Sequence, residues 1–124
     1  MKYSMDSNVV HNTNIGSINI NNDAICSIVA MSVGEIFGIA GFSRGFYEKI
    51  KNKISSDKKR GIRVEISDDK KITITIGIYV DYGVIIADVV LALQRHVKEA
   101  VEKMVEAEVV AVNIDIDGVK FQKD

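Results

Sequence analysis

The period at which apolar residues recur divides this chain into elements. Between Ile62 and Val80 the period is two. Ile62, Val64 and Ile66 alternate with Arg63 and Glu65, and Ile72, Ile74, Ile76, Ile78 and Val80 alternate with Thr73, Thr75, Gly77 and Tyr79. Such alternation gives each of two strands one apolar face. The "SDDKK" between them is turn chemistry, so the pair reads as an antiparallel hairpin. In "ADVVLALQRHVKEAVEKMV" the period lengthens: Val89, Val90, Leu93, Val97, Ala100, Val101 and Met104 make one stripe of a long helix. Charges on its outer side stand at i, i+4, as Glu99 and Lys103 do. Val110, Val112, Ile114 and Ile116 then restore alternation and predict a final strand.

The first half is less regular. Residues 1–14 are rich in Asn and Ser without periodicity and read as a disordered N-terminal tail. Ile18 and Ile20 in "GSINI" predict a short strand, and Asn21 or Asn22 can cap the helix that follows. Ile25, Ile28, Val29, Ser32, Val33 and Ile36 recur at helical spacing, and the glycines of "GIAGFSRG" end that helix. Phe46, Ile50 and Ile54 predict a second, shorter helix. The order β-α-α-β-β-α-β predicts an α+β fold: two layers, with a mixed sheet of three or four strands and helices on one face. The long-helix crossover should bring the last strand in parallel to an earlier one. One domain is expected over residues 15–120, with a tail at 121–124.

Composition narrows the class. The 124 residues carry 47% hydrophobic and 27% charged residues and a net charge of −1, as an ordinary globular domain does. One cysteine cannot form an internal disulfide, and "MKYSMDSNVVHNTN" has no apolar signal core, so a cytoplasmic setting is expected. No apolar run is long enough for a spanning helix. Chemistry-bearing residues are sparse. Asn113, Asp115, Asp117 and Gly118 in "NIDIDGV" match the start of an EF-hand loop, but they sit inside an alternating strand with no exit helix, so no metal is expected. They read instead as the wet side of that strand, where Asp115→Ala should stay within ~0.5 kcal/mol. Cys26 reads as a buried inert thiol and His96 as a surface residue. No catalytic residue, cofactor or small-molecule substrate is implied. Glu35, at a glycine-rich helix end where an acid opposes the helix dipole, marks either a bond to the loop or a contact site. Tyr82 in "DYGV" reads as the cover of a strand-ending turn.

The blocks "GSININNDAICSIVAMSVGEIFGIAG", "VDYGVIIADVVLALQRHVKEAVEKM" and "VVAVNIDIDGV" together resemble the alkaline shock protein family of Gls-type envelope-stress proteins. The resemblance covers about residues 16 to 119 and rests on Gly16 with Ile18 and Ile20, Ala30–Glu35–Gly38–Gly41, Tyr82–Gly83, Gln94 with Val97, and Val112–Asn113. The sequence departs from the family in having Val105 and Glu106 where Thr-Gly is usual, and in lacking a proline before the long helix. What the resemblance implies is a non-catalytic cytoplasmic protein of cell-envelope homeostasis. It would act at the inner face of the membrane through other proteins, among them a small membrane-anchor protein, and through self-association as a homo-oligomer.

Charge distribution supplies the remaining functional signal. Arg44, Lys49, Lys51, Lys53, Lys58, Lys59, Arg60 and Arg63 face only Glu48 and Asp57, whereas from Asp81 onward acids outnumber bases. Such an asymmetry can draw an anionic partner to one end or a second copy head to tail. The competing reading is a KH-like RNA-binding module. In it Gly38 and Gly41 form the Gly-x-x-Gly loop between two helices that clamps a nucleic-acid backbone, with the basic segment beyond. Ile39 and Ala40 supply no cation to such a loop, which makes nucleic acid the lesser expectation.

Overall fold

The computed structural model describes residues 2–6, 22–43, 61–105 and 107–121. Their order is β1 (Lys2–Asp6), α1 (Asn22–Gly34), β2 (Ile39–Phe42), β3 (Ile62–Ile66), β4 (Lys71–Asp81), α2 (Ile86–Val105) and β5 (Glu108–Lys120). The fold is α+β, as the element pattern predicts. The strand expected at 16–20, the cap at Asn21 and the short helix expected around Phe46, Ile50 and Ile54 lie outside the described residues.

The long strands follow from their alternation. Ile72, Ile74, Ile76, Ile78 and Val80 of β4 are all fully buried, together with Ile62 and Val64 of β3. β3 pairs antiparallel with β4 from Ile62↔Ile76 to Ile66↔Ile72. The hairpin closes through Ser67, whose N–H donates to the Lys71 carbonyl at 2.9 Å, with Lys70 at a left-handed φ of 62°. The Ser67 hydroxyl also donates to Asp69 and holds that carboxyl below its ordinary value. β5 runs parallel to β4 from Lys71↔Glu108 to Asp81↔Lys120, as the crossover through α2 requires. α1 and α2 pack side by side on the isoleucine face, α1 over β3 and α2 over β5. Gln94, buried on α2, donates through Nε2 to the Val112 carbonyl at 3.0 Å. Glu102 takes the Lys98 ammonium at 2.7 Å and the Val109 N–H at 2.9 Å, fixing the passage from α2 into β5.

Several features depart from the sequence reading. Among the described residues the sheet has five strands rather than three or four. β1 lies within the stretch read as a disordered tail, paired antiparallel with β5 from Lys2↔Asp115 to Asp6↔Ala111. A strand on a sheet edge can take its hydrogen bonds from the neighbouring backbone and needs no apolar alternation of its own. β2 lies where "GIAG" reads as a loop, paired antiparallel with β4. β2 and β3 share one edge of β4 end to end. They meet at Gly77, whose N–H donates to the Gly61 carbonyl (3.2 Å) and whose carbonyl accepts the Ser43 N–H (2.8 Å).

Bulges redirect the last strand. Val110 and Asp117 are extra residues in the β5 register, so Val109 rather than Val110 joins Val112, Ile114 and Ile116 in the core. The opposite side of β5 is not uniformly wet either. Asn113 is half-buried and Asp117 exposed, but Asp115 is only 5% exposed. The expectation of a tolerant surface position at Asp115 is therefore corrected: a buried carboxylate depends on hydrogen-bonding neighbours that its removal orphans. Ile114→Asp should lower unfolding free energy by several kcal/mol in denaturant titration, since it puts a charge into the core. Asp115→Ala should cost about 1–3 kcal/mol. A cost at Asp115 indistinguishable from zero would return it to the surface.

Gly38 controls how the turn after α1 meets α2. It has a φ of 98°, and a Cβ there would stand 2.9 Å from Val89 Cγ2 and 3.2 Å from Val84 Cγ1. Gly38→Ala should lower stability by about 1–3 kcal/mol through strain and overpacking. At Gly34, the last residue of α1, an added Cβ meets nothing within 4 Å. Gly34→Ala should be neutral or stabilising by up to about 1 kcal/mol, and a thermal melt of both variants checks the contrast.

Candidate functional site

Three chain segments converge where β4 and β5 end. The turn after α1 brings Glu35, Ile36, Phe37 and Gly38, with the Glu35 N–H on the Ser32 carbonyl at 3.1 Å and the Ile36 N–H on the Val33 carbonyl at 3.3 Å. The turn between β4 and α2 brings Tyr82 to Ile85. It is tied to the first by the Asp81 N–H on the Gly38 carbonyl at 2.8 Å. The end of β5 brings Lys120 and Phe121, tied in by the Tyr82 N–H on the Lys120 carbonyl at 2.8 Å. These backbone bonds frame an open groove of about 560 Å³, floored by Ile36, Val84, Val89 and Ala92.

Large apolar side chains stand exposed around it. Phe37 is 88% exposed, Ile85 68% and Tyr82 66%, and Tyr82 stacks on the exposed Phe121 with centroids 4.5 Å apart. One exposed hydrophobe needs no explanation, but a cluster gathered around a groove marks a contact surface. Glu35, Asp81 and Asp88 also line the groove, and among the described residues no lysine or arginine does.

The sequence-predicted residues are divided by the fold. Glu35, Gly38 and Tyr82 come together at this groove: Gly38 positions the turn, and Tyr82 covers the strand ends. Gly41 stands in β2 opposite Tyr79 instead of in a loop. α1 leads directly into β2, so Gly38 and Gly41 do not form a loop between two helices, and the KH-like arrangement is corrected on this point. Arg44, Lys49, Lys51, Lys53, Lys58, Lys59 and Arg60 lie outside the described residues. Of that basic segment Arg63 is described, on β3 and bound to Glu65 at 3.0 Å. The "NIDIDGV" carboxylates lie along β5, with Asp117 accepting the Ser43 hydroxyl. Among the described residues no group of His, Cys, Asp and Glu gathers in a way that could hold a metal.

Glu35 makes a structural bond, but to the neighbouring helix rather than to the loop. His96 Nε2 on α2 lies 2.5 Å from Glu35 Oε1, so an acid that opposes the α1 dipole is held by the neighbouring helix. Beyond this pair a second groove of about 700 Å³ runs between the helices, lined by Ile28, Met31, Ala100 and Met104 among others. Phe37, Ile85 and Phe121 were not singled out by the sequence. Phe121 falls in the stretch read as a tail, and its signal was the continued alternation of Val119 and Phe121 after Asp117.

The chain was compared with known proteins. The model of the Asp23 family, described by cell envelope-related function, matches residues 10–121; its name is unrelated to the residue Asp23. The uncharacterized protein Spy1535 of Streptococcus pyogenes serotype M6 is 29% identical over 109 residues, which are 88% of this chain and 83% of that protein. A stress response regulator gls24 homolog of Streptococcus pyogenes serotype M3 is 22% identical over 110 residues, 87% of this chain. This chain spans 61% of that longer relative. No solved structure matches.

The Glu35–His96 bond joins partly exposed side chains and should contribute little to stability. A double-mutant cycle of Glu35→Ala and His96→Ala, read by denaturant unfolding near neutral pH, should give a coupling below about 1 kcal/mol. A coupling well above that would make the pair a principal tie between α1 and α2.

Proposed function

Because the chain belongs to the Asp23, or alkaline shock protein, family of cell envelope-related function, we propose that it is a non-catalytic protein-interaction module of the bacterial envelope stress response. In this reading it acts as a scaffold at the cytoplasmic face of the membrane, through partner proteins that include a small membrane anchor and through self-association. The supporting observation is the apolar cluster of Phe37, Tyr82, Ile85 and Phe121, exposed around the strand-end groove. Aromatic residues in such clusters supply the large buried area on which protein contacts depend. No described helix is long and apolar enough to cross a membrane. The gls24 homolog is named for a stress response rather than for an enzymatic activity.

The test is photo-crosslinking in the source cell from a probe placed at Ile85, with membrane and soluble fractions analysed separately. Discrete protein adducts in the membrane fraction are expected, reduced at least about fivefold by Phe37→Ser with Phe121→Ser, as loss of a contact hot spot requires. Adducts that persist unchanged in the double variant, or that consist of RNA, would sink the reading.

A further inference from the structure

We propose that the strand-end groove takes a segment of a partner protein in which lysine or arginine stands beside large apolar side chains. This rests on the docking reading above and adds the chemistry of the occupant. The groove presents the carboxylates of Glu35, Asp81 and Asp88 around an apolar floor, and among the described residues its lining contains no lysine or arginine. An anionic occupant such as a nucleic-acid backbone or a phospholipid headgroup meets like charge at each of these positions. A purely apolar occupant would bury the carboxylates of Asp81 and Asp88, which is costly without a cation to meet them.

A segment carrying a cation satisfies both demands. Its apolar side chains cover Ile36, Val84 and Val89 and meet Phe37 and Ile85, while its cation reaches Asp88 or Asp81. The ring of Tyr82 adds a face on which a guanidinium or ammonium can rest. The same pairing already occurs nearby, where Lys120 Nζ lies 4.5 Å from the centre of the Tyr79 ring. The groove is open along its length rather than enclosed, which suits a peptide segment better than a small molecule wrapped on all sides.

The groove is also built to keep its shape. Its two turns are joined by the Asp81–Gly38 bond, and Gly38 packs against Val84 and Val89. A preformed groove loses little freedom when occupied, which favours binding of a short segment.

The experiment measures fluorescence anisotropy of the full chain with a labelled synthetic peptide in which lysine and arginine interleave with leucine and phenylalanine. Two control peptides replace the cations by glutamate, or the apolar residues by serine. The interleaved peptide should bind at least about tenfold more tightly than either control. Its affinity should fall at least about tenfold in Phe37→Ser and in Asp88→Lys, and less in Asp88→Asn. These side chains are exposed, and thermal melts of each variant establish that it is folded. Equal binding of the glutamate peptide, or of the serine peptide, overturns the proposal. So does self-association that Asp88→Lys abolishes, because a second copy of the chain is then the occupant. If the cross-linked adducts are lost in the Phe37 and Phe121 variant while the interleaved peptide fails to bind, the docking reading stands and the cationic occupant falls.

Discussion

The parallel pairing of β4 with β5 is the constraint from which the rest of the molecule follows. Parallel neighbours cannot be joined by a tight turn, so the chain must cross the sheet, and α2 makes that crossing. The crossing buries Val90, Leu93, Val97 and Val101 on the isoleucine face, which supplies most of the apolar burial between α2 and the sheet. Gln94 then sets the helix at a fixed height by its bond to the Val112 carbonyl. Because both strands point the same way, their last residues lie side by side. Tyr82 and Phe121 meet there, and the groove is a direct product of the crossover.

What was legible in the sequence is what regular backbone and one-sided burial produce together. The β3–β4 hairpin, the stripe of α2 and the parallel return of β5 each have a periodic cause, and each is present, except that Val105 rather than the exposed Met104 ends the buried stripe of α2. β2 was hidden because "GIAG" offers glycine where a strand normally advertises itself with bulky alternation. Its pairing comes from the open edge of β4, a tertiary cause that no local pattern announces. β1 was hidden because the alternation of Tyr3 and Met5 in "KYSMD" is too short to stand out beside an Asn-rich stretch, and its pairing comes from the edge of β5. The β5 bulges were hidden because "EVVAV" is apolar at several successive positions, so either phase of alternation fits. Only packing against α2 selects Val109 and Val112.

The candidate site was legible in a different measure. Glu35, Gly38 and Tyr82 were marked by the residue pattern; Glu35 and Tyr82 line the groove from segments far apart in the chain, and Gly38 joins those segments through its bond to Asp81. Phe37, Ile85 and Phe121 were not marked, because an exposed aromatic looks the same in sequence as a buried one. The Gly-x-x-Gly spacing shows the converse failure. Gly38 is required by a turn and Gly41 stands in a strand, so two glycines at a suggestive spacing have separate causes. Spacing carries chemistry only when one backbone geometry supplies the reason for every residue in the motif.

Charge counted along a chain is not the charge of a surface. The acidic excess after Asp81 is spread by the fold over distinct places. Asp81 and Asp88 reach the strand-end groove, Glu102 is engaged with Lys98 and Val109, and Asp115 and Asp117 lie on the face of the sheet away from the helices. The described residues on either side of 44–60, Ser43 and Gly61, are both hydrogen-bonded to Gly77, partway along the edge of β4 rather than at its end. The roots of that segment and the acidic groove are thus attached to different parts of the same strand. The sign of charge at the strand-end groove, rather than the charge of the whole chain, therefore decides what that groove can accept.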